Sequence, residues 1–248
     1  MNILRCPIVE LRQYTLHPGQ REALITLFDR EFVESQEELG MVILGQFRDL
    51  DNPDRFVWLR GFASMPSRAQ ALASFYGGPV WKAHRAQANA TMIDSDNVLL
   101  LRPATTRSGF PAPAAARLPA VDAPDGDAAA PSRILVTIYY RDQPFDQAFA
   151  DFFDRRARPV LIETGAVPLA CLQTEHAENT FPTLPVRTGE NVFVWLARFP
   201  SPGHLHDHLH QIEAPGHWRD RVLPALSAMI TGAPQWLRLA PTARSLLR

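Results

Sequence analysis

An internal repeat constrains this chain more than any other feature of its 248 residues. The sequence FVWL at residues 56–59 recurs 137 positions later, at residues 193–196, and the same offset pairs Trp81 with Trp218. Matched tryptophans in a long common register indicate two copies of one structural unit. The chain is therefore expected to fold as two similar halves.

A second offset locates an insertion. Upstream of the FVWL segment the copies lie 125 positions apart, which pairs Tyr14 with Tyr139 and the FDR sequence at residues 28–30 with residues 153–155. The two offsets differ by 12 residues, which predicts an insertion in the second copy at residues 175–189. The FPTLP sequence at residues 181–185 is typical of a loop.

The copies are separated by a segment rich in proline and alanine. Residues 103–131 show no hydrophobic periodicity, and proline removes backbone donors and favours an extended chain. We predict a first domain at residues 1–103, a Pro/Ala-rich linker at residues 104–132 and a second, diverged domain at residues 133–248.

Each copy has the pattern strand, helix, strand, strand, helix, strand. In the first copy, residues 8–16 alternate as a strand does, residues 20–36 carry apolar side chains at helical spacing, and Gly40 ends that helix. The order βαββαβ predicts a ferredoxin-like α+β unit, whose uncovered sheet face needs a partner. We expect the two units to face each other as a pseudo-dimeric α/β barrel. Pairing between chains stays an alternative, and further homodimerisation stays open.

Two stretches of the first copy resemble a known family. The sequence VELRQYTLHPG at residues 9–19 and the sequence FYGGPVW at residues 75–81 are similar to the NIPSNAP family, which belongs to the dimeric α/β-barrel superfamily. The resemblance covers residues 8–104 and, more weakly, residues 133–242. It implies the barrel fold. The superfamily includes monooxygenases, isomerases, lyases, haem-using enzymes and plain binding proteins, so the resemblance leaves the reaction open.

Polar side chains on the predicted strands are the first candidate site. Glu10, Arg12 and Tyr14 alternate along one strand and share a face. The same alternation groups further side chains on the neighbouring strands, namely Gln46, Arg48, Trp58 and Arg60. If these groups face the barrel interior, they either form a salt-bridge network that fixes the packing of the sheets or hold an anionic, enolate-like oxygen of a substrate.

The second helix of the first copy adds Trp81, His84 and Asn89. In barrels of this kind the substrate commonly lies between the sheet and this helix, where His84 would be a general base or a haem ligand. A solvated helix histidine is the alternative, and core packing is the alternative for Trp81. Haem is not excluded, but no cofactor is expected.

Four closely spaced histidines mark the second copy. His204, His206, His208 and His210 form two i,i+4 pairs, the spacing that places two imidazoles on one metal ion. The pairs compete with each other and no HExxH arrangement is present, so we expect a solvated helix face and no metal site.

Composition excludes several classes of function. The formal net charge is −1, which provides no basic field for nucleic acid or an anionic membrane, and no apolar run is long enough to span a bilayer. The N-terminal residues lack a signal-like apolar core, and two cysteines make no disulfide framework, so a cytoplasmic setting is expected.

Two hypotheses for the function follow. One is a cofactor-independent enzyme of the oxygenase, isomerase or lyase type that acts by acid–base chemistry on an aromatic or polyketide-like substrate. The other is a non-catalytic ligand-binding or protein-interaction module. In both, the site lies in the first copy, because Glu10, Arg12 and Arg60 match Leu135, Thr137 and Ala197 in the second.

Overall fold

The computed structural model describes residue 4 and residues 6–112, 116–119 and 131–248. Much of the predicted linker, residues 113–115 and 120–130, lies outside the described residues. The described part of that segment packs on the barrel. Phe110 is buried in the barrel core and accepts a hydrogen bond from the Leu4 backbone, while Arg117 donates to Glu37 and to the Ile43 carbonyl.

The first copy follows the predicted order of elements and adds one short strand, at residues 92–94, before the closing strand. Its five strands are β1 (Ile8–Leu16), β2 (Val42–Asp49), β3 (Arg55–Phe62), β4 (Met92–Asp94) and β5 (Val98–Pro103). Its helices are α1 (Arg21–Leu27), α2 (Val33–Glu37), α3 (Met65–Gly77) and α4 (Pro79–Thr91), and a π-helical segment, Phe28–Phe32, joins the first two. Gly40 ends the first helical stretch at φ +85°, a left-handed conformation that favours glycine.

The second copy repeats this plan. Its strands are β6 (Arg133–Arg141), β7 (Pro168–Thr174), β8 (Asn191–Phe199) and β9 (Gln235–Pro241). Its helices are α5 (Gln147–Phe152), α6 (Arg158–Glu163), α7 (Pro202–Glu213) and α8 (Leu223–Ser227), with π-helical segments before α6 and α8. The π segment Phe153–Ala157 matches Phe28–Phe32 at the offset of 125, so the repeat extends to this local irregularity.

The two copies close one antiparallel barrel within the chain. Eight strands follow one another in the order β3-β2-β9-β6-β8-β7-β5-β1, and β1 pairs again with β3. The copies meet at β2–β9, where Phe47 pairs with Pro241, and at β5–β7, where Leu101 pairs with Thr174. The predicted α+β barrel of two ferredoxin-like units is thus confirmed.

Buried apolar side chains pack on both the inner and the outer face of the barrel. Its interior is filled by side chains from both copies, such as Val9, Leu11, Val136 and Leu237. Helices of the first copy cover the outer face of its strands, and those of the second copy cover theirs, in two separate cores. Within the described residues, no helix is long and apolar enough to cross a membrane.

Candidate functional site

The polar side chains of β1 lie on the helix side of the sheet, not inside the barrel. Val9 and Leu11 point into the apolar barrel interior, so the alternating positions Glu10, Arg12 and Tyr14 point towards the helices. The condition set out in the sequence analysis, that this polar set faces the barrel interior, is therefore not met. Apolar residues from both copies fill the barrel interior, and the charged side chains of β1 lie between the sheet and the helices.

Glu10 is the centre of a buried ion cluster. Its Oε2 accepts hydrogen bonds from Arg12 Nη1 and Arg60 Nε, each at 2.7 Å, and its Oε1 accepts one from Arg68 Nε at 2.6 Å. Strand pairing places Glu10 directly opposite Arg60, and Arg68 reaches it from α3. All four side chains are 0% exposed, so three charge-assisted contacts meet one carboxylate without direct solvent.

The cluster carries two more positive charges than negative ones. Burial by itself would raise the pKa of Glu10, but Arg60, Arg12 and Arg68 together hold the pKa of this carboxyl well below its usual range. Glu10 is therefore ionised at neutral pH and serves as a counter-ion, not as a base. Burial also lowers the pKa of Arg68, which reflects how much this guanidinium has lost in hydration.

Three N–H donors of the cluster lack a partner among the described residues. They are Arg60 Nη2, Arg68 Nη2 and Trp58 Nε1, all buried. The Arg60 guanidinium lies 5.0 Å from the Trp58 ring centre, and Arg60 and Arg68 both lie over the ring of Phe62. An unpaired buried donor costs about 1–3 kcal/mol, more when charged, so this cluster is suited to an acceptor that the protein itself does not supply.

An aromatic pocket adjoins the cluster. It is a cavity of about 30 Å³, room for about one water molecule. Its wall shares Tyr14, Gln36 and Trp58 with the cluster and its surroundings, and the other lining residues are mainly aromatic or apolar: Leu24, Phe28, Phe32, Phe75, Tyr76, Trp81, Ala88 and Met92. The pocket therefore offers flat apolar contacts next to a concentrated positive charge.

Tyr14 connects the pocket to the cluster. Its hydroxyl oxygen accepts a hydrogen bond from Arg12 Nε at 2.9 Å, which leaves its own proton available to donate. Burial raises the pKa of Tyr14 despite the nearby Arg12, so the phenol is protonated at neutral pH.

In the second copy, apolar residues occupy positions that are equivalent to the ion cluster of the first. Strand pairing places Leu135 opposite Ala197, where the first copy has Glu10 opposite Arg60, and Leu205 stands where the first copy has Arg68. All three are buried in an apolar core.

The difference also explains the free indole of Trp58. In the second copy Trp195 Nε1 donates to the Tyr139 hydroxyl at 3.1 Å. In the first copy Arg12 donates to the equivalent hydroxyl, of Tyr14, and Trp58 Nε1 is left unpaired within the described structure.

The remaining predicted site residues are only partly brought together. Trp81 lines the pocket, but Arg48 turns to Glu22, with Nη2 at 2.6 Å from the carboxylate, and Gln46 donates to Asp29 at 2.9 Å. Asn89 is exposed on α4.

His84 is likewise set apart from the cluster. It lies outside the pocket lining, with Nε2 3.5 Å from Glu31 and its ring against Phe32.

Sequence reasoning missed two members of the site, Arg68 and Gln36. Gln36 lies on α2, where its Oε1 accepts from Arg60 Nη1 at 3.0 Å and its Nε2 donates to the Phe32 carbonyl. A usable signal was present, because the repeat offsets match Arg68 with Leu205 and Gln36 with Leu161. A polar residue matched by leucine in the other copy indicates a buried position with a local reason for its polarity.

The histidine-rich helix α7 differs from the expectation in one respect. His208 is buried with Leu205 and Ile212, because the 3.6-residue period places these three positions on the inner face, so the predicted solvated face is wrong for this residue. His208 Nδ1 hydrogen-bonds Thr164 Oγ1 at 2.9 Å, and burial lowers its pKa to about 4. Among the residues that the structure describes, no group of three His, Cys, Asp or Glu side chains is placed to hold a metal ion.

Comparison with known protein families gives a match for the first copy. Residues 9–106 match the NIPSNAP family model. The first copy is a NIPSNAP domain. A comparison with curated protein sequences gave no match. Within this NIPSNAP domain lie all members of the ion cluster and all the residues that line the aromatic pocket.

Solved structures share the whole two-copy fold. A candidate monooxygenase from Fusobacterium nucleatum aligns with a TM-score of 0.58 at 10% identity, over 96% of this chain and 93% of that one. An anthrone oxidase-like protein aligns at 0.56 and 12%, over 95% and 91%, and a candidate monooxygenase from Lactobacillus acidophilus at 0.54 and 11%, over 95% and 94%. These likenesses establish the dimeric α/β-barrel fold. Together with the family match they show a two-copy barrel whose first copy is a NIPSNAP domain.

Proposed function

We propose that the NIPSNAP domain binds a small aromatic or polyketide-like molecule through an anionic oxygen. The observation that carries this proposal is a buried excess of two positive charges beside an aromatic pocket, with N–H groups on Arg60, Arg68 and Trp58 that have no partner among the described residues. A purely structural network would more naturally balance its charges and satisfy its donors.

The two parts of the site select two parts of such a ligand. Rings such as Phe32, Tyr76 and Trp81 provide flat apolar surface for a planar ring system. The guanidiniums of Arg60 and Arg68 suit a carboxylate or an enolate oxygen, because a charged acceptor forms stronger hydrogen bonds with them than a neutral one does.

An enzymatic role is the second candidate, and Tyr14 favours it. Its protonated hydroxyl lies at the junction of the pocket and the cluster, where it would deliver a proton to a carbon or oxygen of the bound molecule. The arginines would stabilise a molecule that is already bound as its enolate until the Tyr14 proton reaches its carbon, and the resulting phenolate, held by Arg12, would regain a proton from water, which makes the step a keto–enol tautomerisation. Glu10 would act only as the counter-ion that positions the arginines.

Calorimetric titration with a matched pair of probes tests the binding proposal. 2-Naphthoate and 2-naphthamide share ring and shape but differ in charge, and we expect the native protein to bind the carboxylate at least tenfold more tightly. Arg60→Gln should remove most of that preference. Arg198→Gln, which changes an exposed arginine on β8, is the control and should leave it intact.

Three results would speak against these assignments. Equal affinity for the two probes would show that the positive cluster does not recognise an anion. An equal loss in Arg198→Gln would place the effect outside the first copy. A haem absorption band in the purified protein would contradict the cofactor-independent part of the second candidate.

A further inference from the structure

The insertion in the second copy lies on the site of the first. Within residues 175–190, Asn179 Oδ1 accepts a hydrogen bond from Arg68 Nη1 at 2.9 Å, and Thr180 Oγ1 lies 3.3 Å from the same nitrogen. Phe181 stacks on Tyr76 with ring centres 5.9 Å apart and planes 20° from parallel. Tyr76 in turn lines the aromatic pocket. The segment thus touches both the charged and the aromatic part of the site.

The segment is ordered by its own hydrogen bonds and by apolar contacts. Asn179 Nδ2 donates to the Leu184 carbonyl at 3.0 Å, and Thr180 Oγ1 donates to the Met65 carbonyl, at the start of α3, at 3.2 Å. Phe181, Leu184 and Val186 pack against the core of the first copy. Residues of the second copy therefore form a cover over the first, which we call the cover segment (residues 175–190).

The contacts of Arg68 show what the cover segment does at the site. The Arg68 Nε donates to Glu10, Nη1 donates to Asn179 and Thr180, and Nη2 has no partner within the described residues. A carboxylate that binds the outer edge of a guanidinium uses Nη1 and Nη2 together. The neutral oxygens of Asn179 and Thr180 therefore occupy one of the two donors that such a ligand requires.

The size of the pocket leads to the same conclusion. About 30 Å³ holds a water molecule but no aromatic ring, so a ring enters only when a wall side chain moves. Tyr76 is a wall residue that stacks on the cover segment, through Phe181.

Helices α3 and α4 and the strands are tied into the core. The cover segment is fixed at its two ends by backbone hydrogen bonds from Glu175 to Leu100 and from Arg187 to Val98. Its middle is held by the side-chain hydrogen bonds of Asn179 and Thr180 and by apolar contacts, so the middle is the part that moves.

We propose that Asn179 and Thr180 stand in for the carboxylate oxygens of the ligand, and that the ligand displaces them from Arg68 and opens the cover segment. This inference rests on the proposed function, since it requires an anionic ligand at the cluster. It assigns the ligand class more narrowly, as an aromatic carboxylate, and it gives the second copy a part in the site of the first.

The experiment combines hydrogen exchange with titration of 2-naphthoate. In the native protein, saturating 2-naphthoate should increase amide exchange within residues 175–190 while the barrel strands stay protected. Asn179→Ala and Thr180→Val each remove one stand-in oxygen and should bind 2-naphthoate at least threefold more tightly. Thr183→Ala, an exposed position in the same segment, is the control and should bind within twofold of the native protein.

Failure of this inference is distinguishable from failure of the proposed function. If the native protein prefers 2-naphthoate to 2-naphthamide but neither variant binds more tightly and exchange does not rise, the site binds anions without displacement of the cover segment, and the inference is overturned. If 2-naphthoate binds neither the native protein nor the two variants, the proposed function fails and the inference fails with it.

Discussion

Replacing the ion cluster by its counterparts from the second copy separates a structural role from a binding role. The full replacement changes five residues to those at the matching positions: Glu10→Leu, Arg12→Thr, Gln36→Leu, Arg60→Ala and Arg68→Leu. The single change Glu10→Leu is the comparison. It leaves three buried guanidiniums without the carboxylate that all three contact.

The expected stabilities differ in direction. Removing one partner of a buried ion pair typically costs about 3–5 kcal/mol, because the remaining charge is uncompensated. At about 2–4 °C per kcal/mol for a chain of this size, Glu10→Leu should lower the melting temperature by about 6–20 °C. Replacing a whole buried ionic group by apolar residues is often neutral or stabilising by about 1–4 kcal/mol. The variant with all five substitutions should therefore be at least as stable as the native protein.

Urea denaturation followed by tryptophan fluorescence measures the free energy of unfolding of all three proteins. The variant with all five substitutions should also lack the native preference for 2-naphthoate over 2-naphthamide, since it keeps no charge in the cluster. If it is instead as unstable as Glu10→Leu, the cluster is needed for the fold, and the argument that its charges are kept for a ligand is refuted.

Three further predictions concern single side chains. Trp58→Phe and Trp195→Phe each remove part of a buried ring, but only Trp195→Phe also breaks a hydrogen bond, so it should cost about 1 kcal/mol more than Trp58→Phe in urea denaturation. Trp58→Phe removes a donor that has no partner in the described structure and should weaken 2-naphthoate binding at least threefold. The pKa of His208 is about 4 in the folded protein and near 6.5 when unfolded, so the unfolded chain binds more protons between these pH values. The free energy of unfolding should therefore fall by about 2 kcal/mol as the pH drops from 6.5 to 4. His208→Leu should abolish this loss, as measured from the urea midpoints. Arg48→Gln removes an ion pair with the half-exposed Glu22 and should change the free energy of unfolding in urea by less than about 1 kcal/mol. It should leave the affinity for 2-naphthoate unchanged. A tenfold weaker affinity would show that Arg48 reaches the ligand.

The fold was predictable because it repeats. Two copies of a βαββαβ pattern, each with an uncovered sheet face, leave few ways to bury that face, and the offsets of 137 and 125 identify equivalent strands. The strand pairs bear this out, since Glu10 opposite Arg60 becomes Leu135 opposite Ala197. The repeat predicts that the two copies pair with each other, and the strand pairs β2–β9 and β5–β7 show that they do so within one chain.

The orientation of the polar set was not predictable in the same way. Alternation shows that Glu10, Arg12 and Tyr14 share a face, but it does not show which face that is when both are buried. Here Val9 and Leu11 fill the barrel interior, and the opposite face lies under helices that pack on it with apolar side chains. A strand with one solvated face would have revealed its orientation, and this strand has none.

The two copies differ in a way that gives each a distinct part in one site. Arg68 and Gln36 have leucine counterparts in the second copy, so that copy has a packed apolar core where the first has a charged one. The second copy alone carries the 12-residue insertion, and within it Asn179 and Phe181 contact the charged and aromatic residues of the first. The charges of the first copy and the insertion of the second are thus complementary, and the proposed site is complete only when both copies are joined in one barrel.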